Sequence, residues 1–303
     1  MPAVGYNGSV PKNERPWTRS GSGQRRRPPL GQHFLTDRGV ERRIVEALGL
    51  TARDFVLEIG AGRGNMTELL ASLAGALLAV EIDPKLAAEL RRKFEGNAKV
   101  EVRERDILEL PIDSVAREAG REKIKVCGNL PYYITSPCLM HLFHYCAWIE
   151  EIVVMVQEEV ARRIVSTPGE RDYGLLSLTC QYYTEPRLLF SVGPKAFSPP
   201  PEVRSAVVRM RVAPQREALG IAAEDEREFW SLLRRAFSQK RKTLVNNWKG
   251  LLEEERLRTA LEKAGIDQRA RAETLSLGQF AMLFQKVCFR DMNVGKPASR
   301  RDL

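Results

Sequence analysis

The amino-acid sequence predicts an α/β protein with a doubly wound, mostly parallel seven-stranded sheet and a smaller C-terminal helical domain. Two observations carry this prediction. From Arg53 to about Ile164, short apolar segments alternate with amphipathic segments, a pattern typical of strands joined by right-handed helical crossovers. From about Arg216 onward, the pattern becomes helical throughout.

The first part of the chain supplies five strands and the helices that connect them. The predicted strands are Phe55–Ile59, Ala76–Ile82, Val100–Arg103, Ile124–Cys127 and Ile152–Val156. Helices are predicted at Thr67–Leu73, from about Pro84, and after the fifth strand through Ile164. Pro84 suits the first turn of a helix, where no backbone donor is required.

Two later strands complete the predicted sheet. Leu188–Val192 and Val203–Val212 flank the proline-rich turn Phe197–Pro201, which predicts an antiparallel edge. Four helices then follow, predicted at Glu226–Phe237, Thr243–Leu252, Glu254–Ala264 and Leu277–Cys288.

The composition divides the chain into four parts. Residues 1–28 are rich in Gly, Ser, Pro and Arg and predict a disordered basic tail. We expect the α/β domain over residues 29–213 and the helical domain over residues 214–290. Residues 291–303 form a C-terminal tail.

Charge and cysteine usage narrow the class of partner. The chain of 303 residues carries 48 basic and 39 acidic residues and a net charge of +9, a balance that favours a polyanionic partner. The five cysteines form no CxxC pair and the three histidines show no metal-ligand spacing, so we expect no metal and a reducing cytoplasm. No apolar run approaches the roughly 20 residues that span a membrane. We expect a monomer.

Informative residues occur where the predicted strands end. Ligands of doubly wound sheets bind beyond the carboxyl ends of the strands. Gly60, Glu81, Asp106 and Asn129 follow or end four successive strands. Their coincidence predicts one ligand site at that edge of the sheet.

The glycine-rich loop and two acidic residues indicate the kind of ligand. Loop Glu58–Gly64 has the spacing G-x-G-x-G, which lets the backbone approach a ligand closely. Glu81 can accept hydrogen bonds from ribose hydroxyls, and Asp106 from an adenine amino group. S-adenosylmethionine, which has an adenosine and no pyrophosphate, meets these requirements. A nicotinamide dinucleotide is the alternative, although the spacing G-x-G-x-x-G would favour it more.

The tetrapeptide Asn129–Tyr132 predicts a clamp for a flat base that carries an amino group. Asn129 offers a carbonyl oxygen as acceptor, and Pro131 fixes the turn. Tyr132 offers a ring face on which a base can stack. The alternative interpretation is an ordinary turn after a strand.

A series of motifs resembles one known family over most of the chain, from about Pro29 to about Phe289. The motifs, in order, are Gly31–Leu35, Glu58–Gly64, Glu81–Asp83, Asp106–Ile107, Asn129–Tyr132, Phe197–Pro201, Val203–Ser205 and Ala236–Leu244. Together they resemble the small-subunit ribosomal RNA adenine N6-dimethyltransferases (the KsgA type). Leu130 is similar to that family's usual residue, whereas the related large-subunit enzymes that confer macrolide resistance often have Ile.

The resemblance implies a Rossmann-like class I methyltransferase fold and a set of site residues. The implied reaction is N6,N6-dimethylation of two adjacent adenosines in the 3′-terminal hairpin loop of small-subunit (16S) rRNA, during small-subunit biogenesis. The implied cofactor-binding residues are Gln32, His33, Leu35, Gly60, Ala61, Gly62, Glu81, Ile82, Asp106, Ile107 and Asn129. The implied catalytic residues are Asn129, Leu130, Pro131, Tyr132 and Phe197. Phe197 would stack on the base with Tyr132; the alternative is a plain core residue.

A basic tract in the helical domain is the predicted contact with rRNA. Between Arg234 and Lys249 the chain has no acidic residue. Such a run is often only a solvated helix face, but beside an adenine-modifying site phosphate contact is the better interpretation. The predicted RNA-binding residues are Arg234, Arg235, Lys240, Arg241, Lys242 and Lys249.

Three functions remain open from the residues alone. The first is an RNA adenine dimethyltransferase that acts on the small ribosomal subunit. The second is a nicotinamide-dependent oxidoreductase on a similar sheet. The third is a non-catalytic assembly factor, a role that can coexist with catalysis. Titration with S-adenosylmethionine against NAD distinguishes the first two.

Overall fold

A computed structural model describes residues 33–251 and 253–287. The predicted tails, residues 1–28 and 291–303, lie outside the described residues, as do Gln32 and Cys288. The strands are β1 Phe34–Leu35, β2 Phe55–Ile59, β3 Ala76–Glu81, β4 Val100–Glu104, β5 Ile124–Asn129, β6 Ile149–Gln157, β7 Thr184–Val192, β8 Phe197–Ser198 and β9 Ser205–Val212.

Seven of these strands form one sheet, as the sequence predicts. Their order is β4-β3-β2-β5-β6-β9-β7. The pairs β3–β4, β2–β3, β2–β5 and β5–β6 are parallel. The two late strands occupy one edge, and their antiparallel orientation stays a prediction. Strands β1 and β8 form a separate antiparallel pair that was not predicted.

The helices agree with the predicted alternation and add four that the sequence patterns did not indicate, namely α1, α4, α5 and α7. They are α1 Arg38–Ala47, α2 Asn65–Leu73, α3 Pro84–Lys93, α4 Ile112–Glu118, α5 Thr135–His144, α6 Glu158–Val165, α7 Leu175–Tyr183, α8 Glu226–Ala236, α9 Leu244–Asn247, α10 Glu254–Lys263 and α11 Leu277–Lys286.

The predicted length of α9 is wrong, because the helix ends at Asn247. Trp248, which follows it, is fully buried, and its indole N–H donates to the carbonyl of Leu232. Gly250 then has a φ of 82°, in the left-handed region that a helix cannot contain. Core packing of the tryptophan therefore stops the helix early.

The register of the central strands decides where the chain leaves the sheet. Ile59 of β2 is level with Val80 of β3 and with Gly128 of β5. Because all three strands are parallel, the residues that follow at this level emerge at the same edge. This edge is therefore where the predicted ligand site must form.

The chain divides into two compact units, each with its own core. The first contains the described residues up to Glu158 together with Leu189–Arg209; the second contains Glu159–Leu188 and the described chain from Met210 onward. Helices α6 and α7 thus group with the C-terminal helices. The predicted domain boundary after residue 213 stays a prediction.

The cores differ in composition. In the first unit, aliphatic side chains such as Ile44, Leu70 and Val153 pack between sheet and helices. In the second, aromatic rings including Phe229 and Trp248 pack among aliphatic side chains. Within residues 33–251 and 253–287, no helix has the length and apolar character needed to cross a bilayer.

The close approach of β5 to β2 at Gly128 gives a prediction about stability. A Cβ there would lie 2.6 Å from the carbonyl oxygen of Ile59, a backbone atom that parallel pairing holds in place. We expect Gly128→Ala to lower the free energy of unfolding by about 1–3 kcal/mol, as overpacked cores do. Urea denaturation followed by circular dichroism measures it.

The control is Gly193→Ala, because a Cβ at Gly193 meets no atom within 4 Å and the backbone φ is −77°. Its effect should stay within about 0.5 kcal/mol. Equal unfolding midpoints for the two variants would contradict the close-approach argument.

Candidate active site

The loop after β2 has a backbone that only glycine adopts without strain. Gly60, Gly62 and Gly64 have φ values of 70°, 57° and 74°. The N–H groups of Gly60 and Ala61 donate to the carbonyl of Val80, which ties the loop to β3. A Cβ at Gly64 would lie 2.7 Å from a Leu90 methyl, so the loop also packs closely on α3.

The carboxylate of Glu81 is buried and held by three backbone donors. The N–H of Gly62 donates to its Oε2, and those of Ile82 and Asp83 donate to its Oε1, each at 2.9 Å. A carboxylate has about four acceptor positions, so one stays available for a further donor such as a hydroxyl. The side chain is therefore oriented before any ligand arrives.

This arrangement disfavours the nicotinamide alternative. A pyrophosphate needs free N–H groups in the glycine loop, since those donors are what hold it. Here the Gly62 N–H already bonds to Glu81, and the carboxylate would repel a pyrophosphate at the same place. The loop instead fits an uncharged ribose.

The side chain of Asn129 has a defined orientation. Its Nδ2 donates to the carbonyl oxygen of His33 at 3.3 Å. A carbonyl only accepts hydrogen bonds, so the nitrogen must face His33 and the Oδ1 atom faces away from it. Within the described part of the chain, nothing donates to that oxygen, and it is left as an acceptor.

Leu130 and Pro131 follow Asn129 in a fixed geometry. The N–H of Leu130 donates to the carbonyl of Met155 on β6 at 3.0 Å, and its side chain is fully buried. The carbonyl of Pro131 accepts from the N–H of Ile134, which begins a single 3-10 turn. The tetrapeptide thus forms a turn after a strand, and its role as a clamp for a base stays a prediction.

Tyr132 lies between the turn and two other segments. Its hydroxyl hydrogen-bonds to Ser205 Oγ at 2.9 Å. Its ring stands 6.2 Å from the His33 imidazole, at 28° between the planes. The imidazole Nδ1 lies 2.8 Å from the Pro199 carbonyl, an acceptor, so Nδ1 carries the proton.

Phe197 lies in the core beside the proline-rich turn. Its side chain is 4% exposed and belongs to the core cluster of the first unit. Strand β8 pairs with β1, with Phe197 opposite Leu35. This packing supports the alternative, a plain core residue at the proline-rich turn, and the stacking role stays a prediction.

One cavity gathers most of the predicted cofactor and catalytic residues. Its lining includes His33, Leu35, Gly60, Ala61, Gly62, Glu81, Ile82, Asn129, Leu130, Pro131 and Tyr132. Asp106 and Ile107 are not among its lining residues. Asp106 caps the 3-10 turn Ile107–Glu109, where its Oδ1 accepts from the Leu108 N–H at 3.0 Å, and Ile107 is buried.

The same cavity contains residues outside the predicted site set, namely Phe34, Glu41, Glu58, Arg63, Asn65, Met66 and Tyr133. Phe34, Glu58 and Arg63 belong to the predicted motifs Gly31–Leu35 and Glu58–Gly64, but no role was assigned to them individually. The Phe34 ring covers the glycine loop, because a Cβ on Gly62 would lie 3.3 Å from a carbon of that ring. The Arg63 guanidinium carbon lies 4.7 Å from the centroid of the same ring. The position of Phe34 between the predicted residues His33 and Leu35 was the sequence feature that could have indicated its place in the cavity.

Glu58 is a buried carboxyl at the base of this cavity. Its Oε2 accepts from the Thr67 hydroxyl at 2.7 Å, and its Oε1 is buried with no hydrogen-bond partner among the described residues. The pKa of Glu58 is raised to about 8, mainly because the carboxyl is buried; the Thr67 hydrogen bond lowers the pKa, and the nearby Glu81 and Glu41 carboxylates add to the rise. Glu58 is thus largely protonated at neutral pH.

The predicted RNA-binding residues fall into distinct environments. Arg235 donates its Nε to the carbonyl of Asn247 at 2.9 Å, so part of its guanidinium is engaged within the second unit. Trp248 is fully buried and cannot stack on RNA. The other five predicted cations, Arg234, Lys240, Arg241, Lys242 and Lys249, are exposed.

The hydrogen bonds of this site orient its polar groups before any ligand is present. The Gly62 N–H donates to Glu81, and the Asn129 amide is held by the His33 carbonyl with its oxygen facing away. In the described part of the chain, no cluster of three or more His, Cys, Asp or Glu side chains is arranged to hold a metal ion. Fold and site together define a class I methyltransferase that uses S-adenosylmethionine.

Comparison with known proteins narrows the class. The family model of ribosomal RNA adenine dimethylase matches residues 23–287, and the chain belongs to this family. It is 44% identical over 268 residues to the ribosomal RNA small subunit methyltransferase A of Koribacter versatilis, covering 85% of this chain and 93% of the relative. It is 45% identical over 260 residues to the enzyme of that name from Acidobacterium capsulatum, covering 86% and 90%.

Solved structures agree with this assignment. A dimethyladenosine transferase from Plasmodium falciparum superimposes with a TM-score of 0.71 at 26% identity, covering 83% of this chain and 96% of that one. The 23S rRNA methyltransferase ErmE gives a TM-score of 0.65 at 28% identity, covering 84% and 99%. The chain is therefore an rRNA adenine dimethyltransferase with S-adenosylmethionine as its methyl donor.

The buried Glu58 predicts a pH dependence of stability. Its folded pKa of about 8 exceeds the ordinary value of 4.5, so the folded state binds more protons than the unfolded state between these values. Its contribution to stability is complete below pH 4.5 and is lost as pH rises to about 8. We expect Glu58→Gln to flatten the decline of stability across this window.

Urea denaturation at pH 5, 6, 7 and 8 measures this slope. Glu89→Gln, which changes the same group at an exposed position of α3, is the matched control. If Glu58→Gln retains the wild-type slope, the carboxyl is not the group that titrates.

Proposed function

We propose that this enzyme dimethylates N6 of two adjacent adenosines in the 3′-terminal hairpin loop of small-subunit (16S) rRNA, during small-subunit biogenesis. The relatives that match it over most of its length carry the name small subunit methyltransferase A. Leu130, rather than Ile, at the second position of the clamp supports the same subunit.

One observation carries the proposed mechanism: the orientation of the Asn129 amide. Because Nδ2 is engaged with the His33 carbonyl, Oδ1 is available to accept one N6–H of a target adenine. The carbonyl of Leu130 is the proposed acceptor for the other N6–H. Neither acceptor needs to move when the base enters.

The two acceptors address the main difficulty of the reaction. The N6 lone pair of adenine is delocalised into the ring, which makes the amine a poor nucleophile. Acceptors for both N–H bonds favour a pyramidal nitrogen whose lone pair points at the methyl group. When bound, S-adenosylmethionine supplies a methyl already activated by a positively charged sulfur. The residues therefore contribute orientation and electrostatic stabilisation rather than a strong base.

The cofactor residues are proposed by position. His33, Leu35, Gly60 and the loop after it would surround the methionine end and the ribose, with Glu81 accepting from a ribose hydroxyl through its remaining acceptor position. Asp106 would accept from the adenine amino group and Ile107 would pack beside that ring. Because these two do not line the same cavity, they would extend the site beyond it.

The target base must leave its stack to reach these acceptors. Tyr132 is the proposed stacking partner, since its ring lines the cavity beside Asn129 and its hydroxyl is held by a hydrogen bond to the Ser205 hydroxyl.

The second methyl transfer acts on a nitrogen that already carries one methyl group and has only one N–H. Only one of the two acceptors is therefore used in that step.

The proposed partner is the small ribosomal subunit, engaged through its rRNA. The exposed cations Arg234, Lys240, Arg241, Lys242 and Lys249, with Arg235, would contact phosphates. The proposed location is the cytoplasm and the proposed state a monomer. An assembly role remains compatible with catalysis, since no part of the site precludes either.

Transfer of tritiated methyl groups to undermethylated small subunits, followed by mapping of the modified bases, tests the proposal. Asn129→Ala should lower kcat by about 100- to 1,000-fold, the usual effect of losing one oriented polar group. Cofactor affinity, measured by calorimetry, should change far less. Asn97→Ala, an exposed change of the same kind, serves as the control. Normal methylation by Asn129→Ala would refute the proposed role.

Tyr132 permits a separate test of base capture. Tyr132→Ala removes the ring and should raise KM for small subunits by about 5- to 150-fold, corresponding to roughly 1–3 kcal/mol of stacking. Tyr132→Phe keeps the ring and loses only the hydrogen bond to Ser205, so it should remain close to wild type. Similar losses for both variants would mean that the hydroxyl, not the ring, matters.

A further inference from the structure

The second unit contains a cavity of about 550 Å³ that the methylation site does not use. Three chain segments meet there: α6, the loop before α7, and the end of α8 with the residues that follow it. Its volume lies within the roughly 300–1,000 Å³ of ligand pockets. Its distinctive feature is four basic residues, Arg163, Arg171, Arg234 and Lys240.

These four cations have no acidic partner within the part of the chain that the structure describes. All four are exposed, and none makes an ion pair there. Other arginines of the same unit are paired: Arg211 with Glu185, and Arg258 with Glu254. Four exposed basic side chains around one cavity favour the binding of an anion.

The loop that carries Arg171 is held by a dense set of hydrogen bonds. Glu170 Oε2 accepts from the Ser166 hydroxyl at 2.8 Å and from the Thr167 N–H at 2.7 Å. These bonds lower the pKa of the Glu170 carboxyl. The Gly169 N–H donates to the carbonyl of Glu273 at 2.8 Å. The loop is therefore preorganised, which reduces the entropic cost of binding.

The opposite wall of the cavity is fixed by Asn247. Its Nδ2 donates to the carbonyls of Ala236 and Gln239, at 2.6 Å and 3.2 Å, just after the helix that carries Arg234. Arg235 donates back to the Asn247 carbonyl. Hydrogen bonds to Asn247 therefore hold the turn that carries Lys240, and Arg235 stabilises Asn247 rather than facing the cavity.

The floor of the cavity is aromatic. Tyr173 is buried and its hydroxyl donates to the Leu275 carbonyl at 2.9 Å. The half-buried Phe237 ring lies 6.4 Å from it, at 68° between the planes, and lines the same cavity. Phe237 is therefore a rigid ring beside the four cations, which is how proteins commonly hold single-stranded nucleic acid.

We propose that this cavity binds one nucleotide of single-stranded RNA, with its flanking phosphates held by Arg163, Arg171, Arg234 and Lys240 and its base against Phe237. The proposal rests on the proposed function, because it names a second contact for the same rRNA substrate. It adds Arg163 and Arg171 to the RNA-binding residues that sequence reasoning found.

Two acidic residues in the cavity narrow the chemical class of ligand that it can bind. Glu159 and Asp172 line the cavity together with the four cations, so two positive charges are in excess. A simple inorganic anion gains nothing from the carboxylates. A nucleotide does, since its base carries N–H donors that carboxylates accept while its phosphates meet the cations.

A fluorescence anisotropy titration of the full chain with a labelled 12-nucleotide oligouridylate tests the proposal. This probe has no adenine, so its binding does not depend on the methylation site or on the proposed function. Arg163→Gln with Arg171→Gln should weaken binding at least fivefold. The slope of log affinity against log salt should fall by about 1.4, corresponding to two lost phosphate contacts to a single strand.

The matched control is Arg256→Gln with Arg269→Gln, two exposed arginines of the same unit that do not line the cavity. Its affinity for oligouridylate should change less than twofold. Equal weakening in both double variants would overturn the proposal, since it would reflect net charge alone. So would an abasic oligomer that binds as tightly as oligouridylate, or polyglutamate that displaces the probe as well as unlabelled RNA does.

Discussion

The parallel pairing of β2 with both β3 and β5 is the constraint on which the site depends. Ile59, Val80 and Gly128 are level in the sheet, so the glycine loop, Glu81 and Asn129 all begin one residue later at one edge. The approach at Gly128 leaves no space for a side chain. Three segments that are distant in sequence therefore meet without any flexible element having to order them.

Neighbouring carboxyls at this edge have opposite environments. Glu81 accepts hydrogen bonds from three backbone N–H groups. Glu58 has one partner and a buried orphan oxygen, and its raised pKa favours the neutral form. Because Glu58 is largely neutral, the negative charge of the cavity near the glycine loop is lower than its number of carboxyl groups suggests.

In the second unit, polar side chains hold the backbone segments that carry the cations of the cavity. Glu170 and Asn247 hydrogen-bond to backbone groups on either side of a basic cavity and hold its walls. The cations themselves stay unpaired and exposed. Rigid backbone with free charges is suited to a polyanion of irregular shape, because phosphates bind without the loops having to reorganise.

The sequence by itself determined the seven main strands, the helices that follow several of them and the residues at the strand ends, because hydrophobic periodicity and glycine chemistry act locally. The same local patterns favoured a long α9, and the family resemblance implied a stacking role for Phe197. Only tertiary structure decided that Trp248 enters the core, that Phe197 packs opposite Leu35, and which cations share a cavity. These outcomes depend on contacts between residues far apart in the chain, which local hydrophobic patterns do not specify.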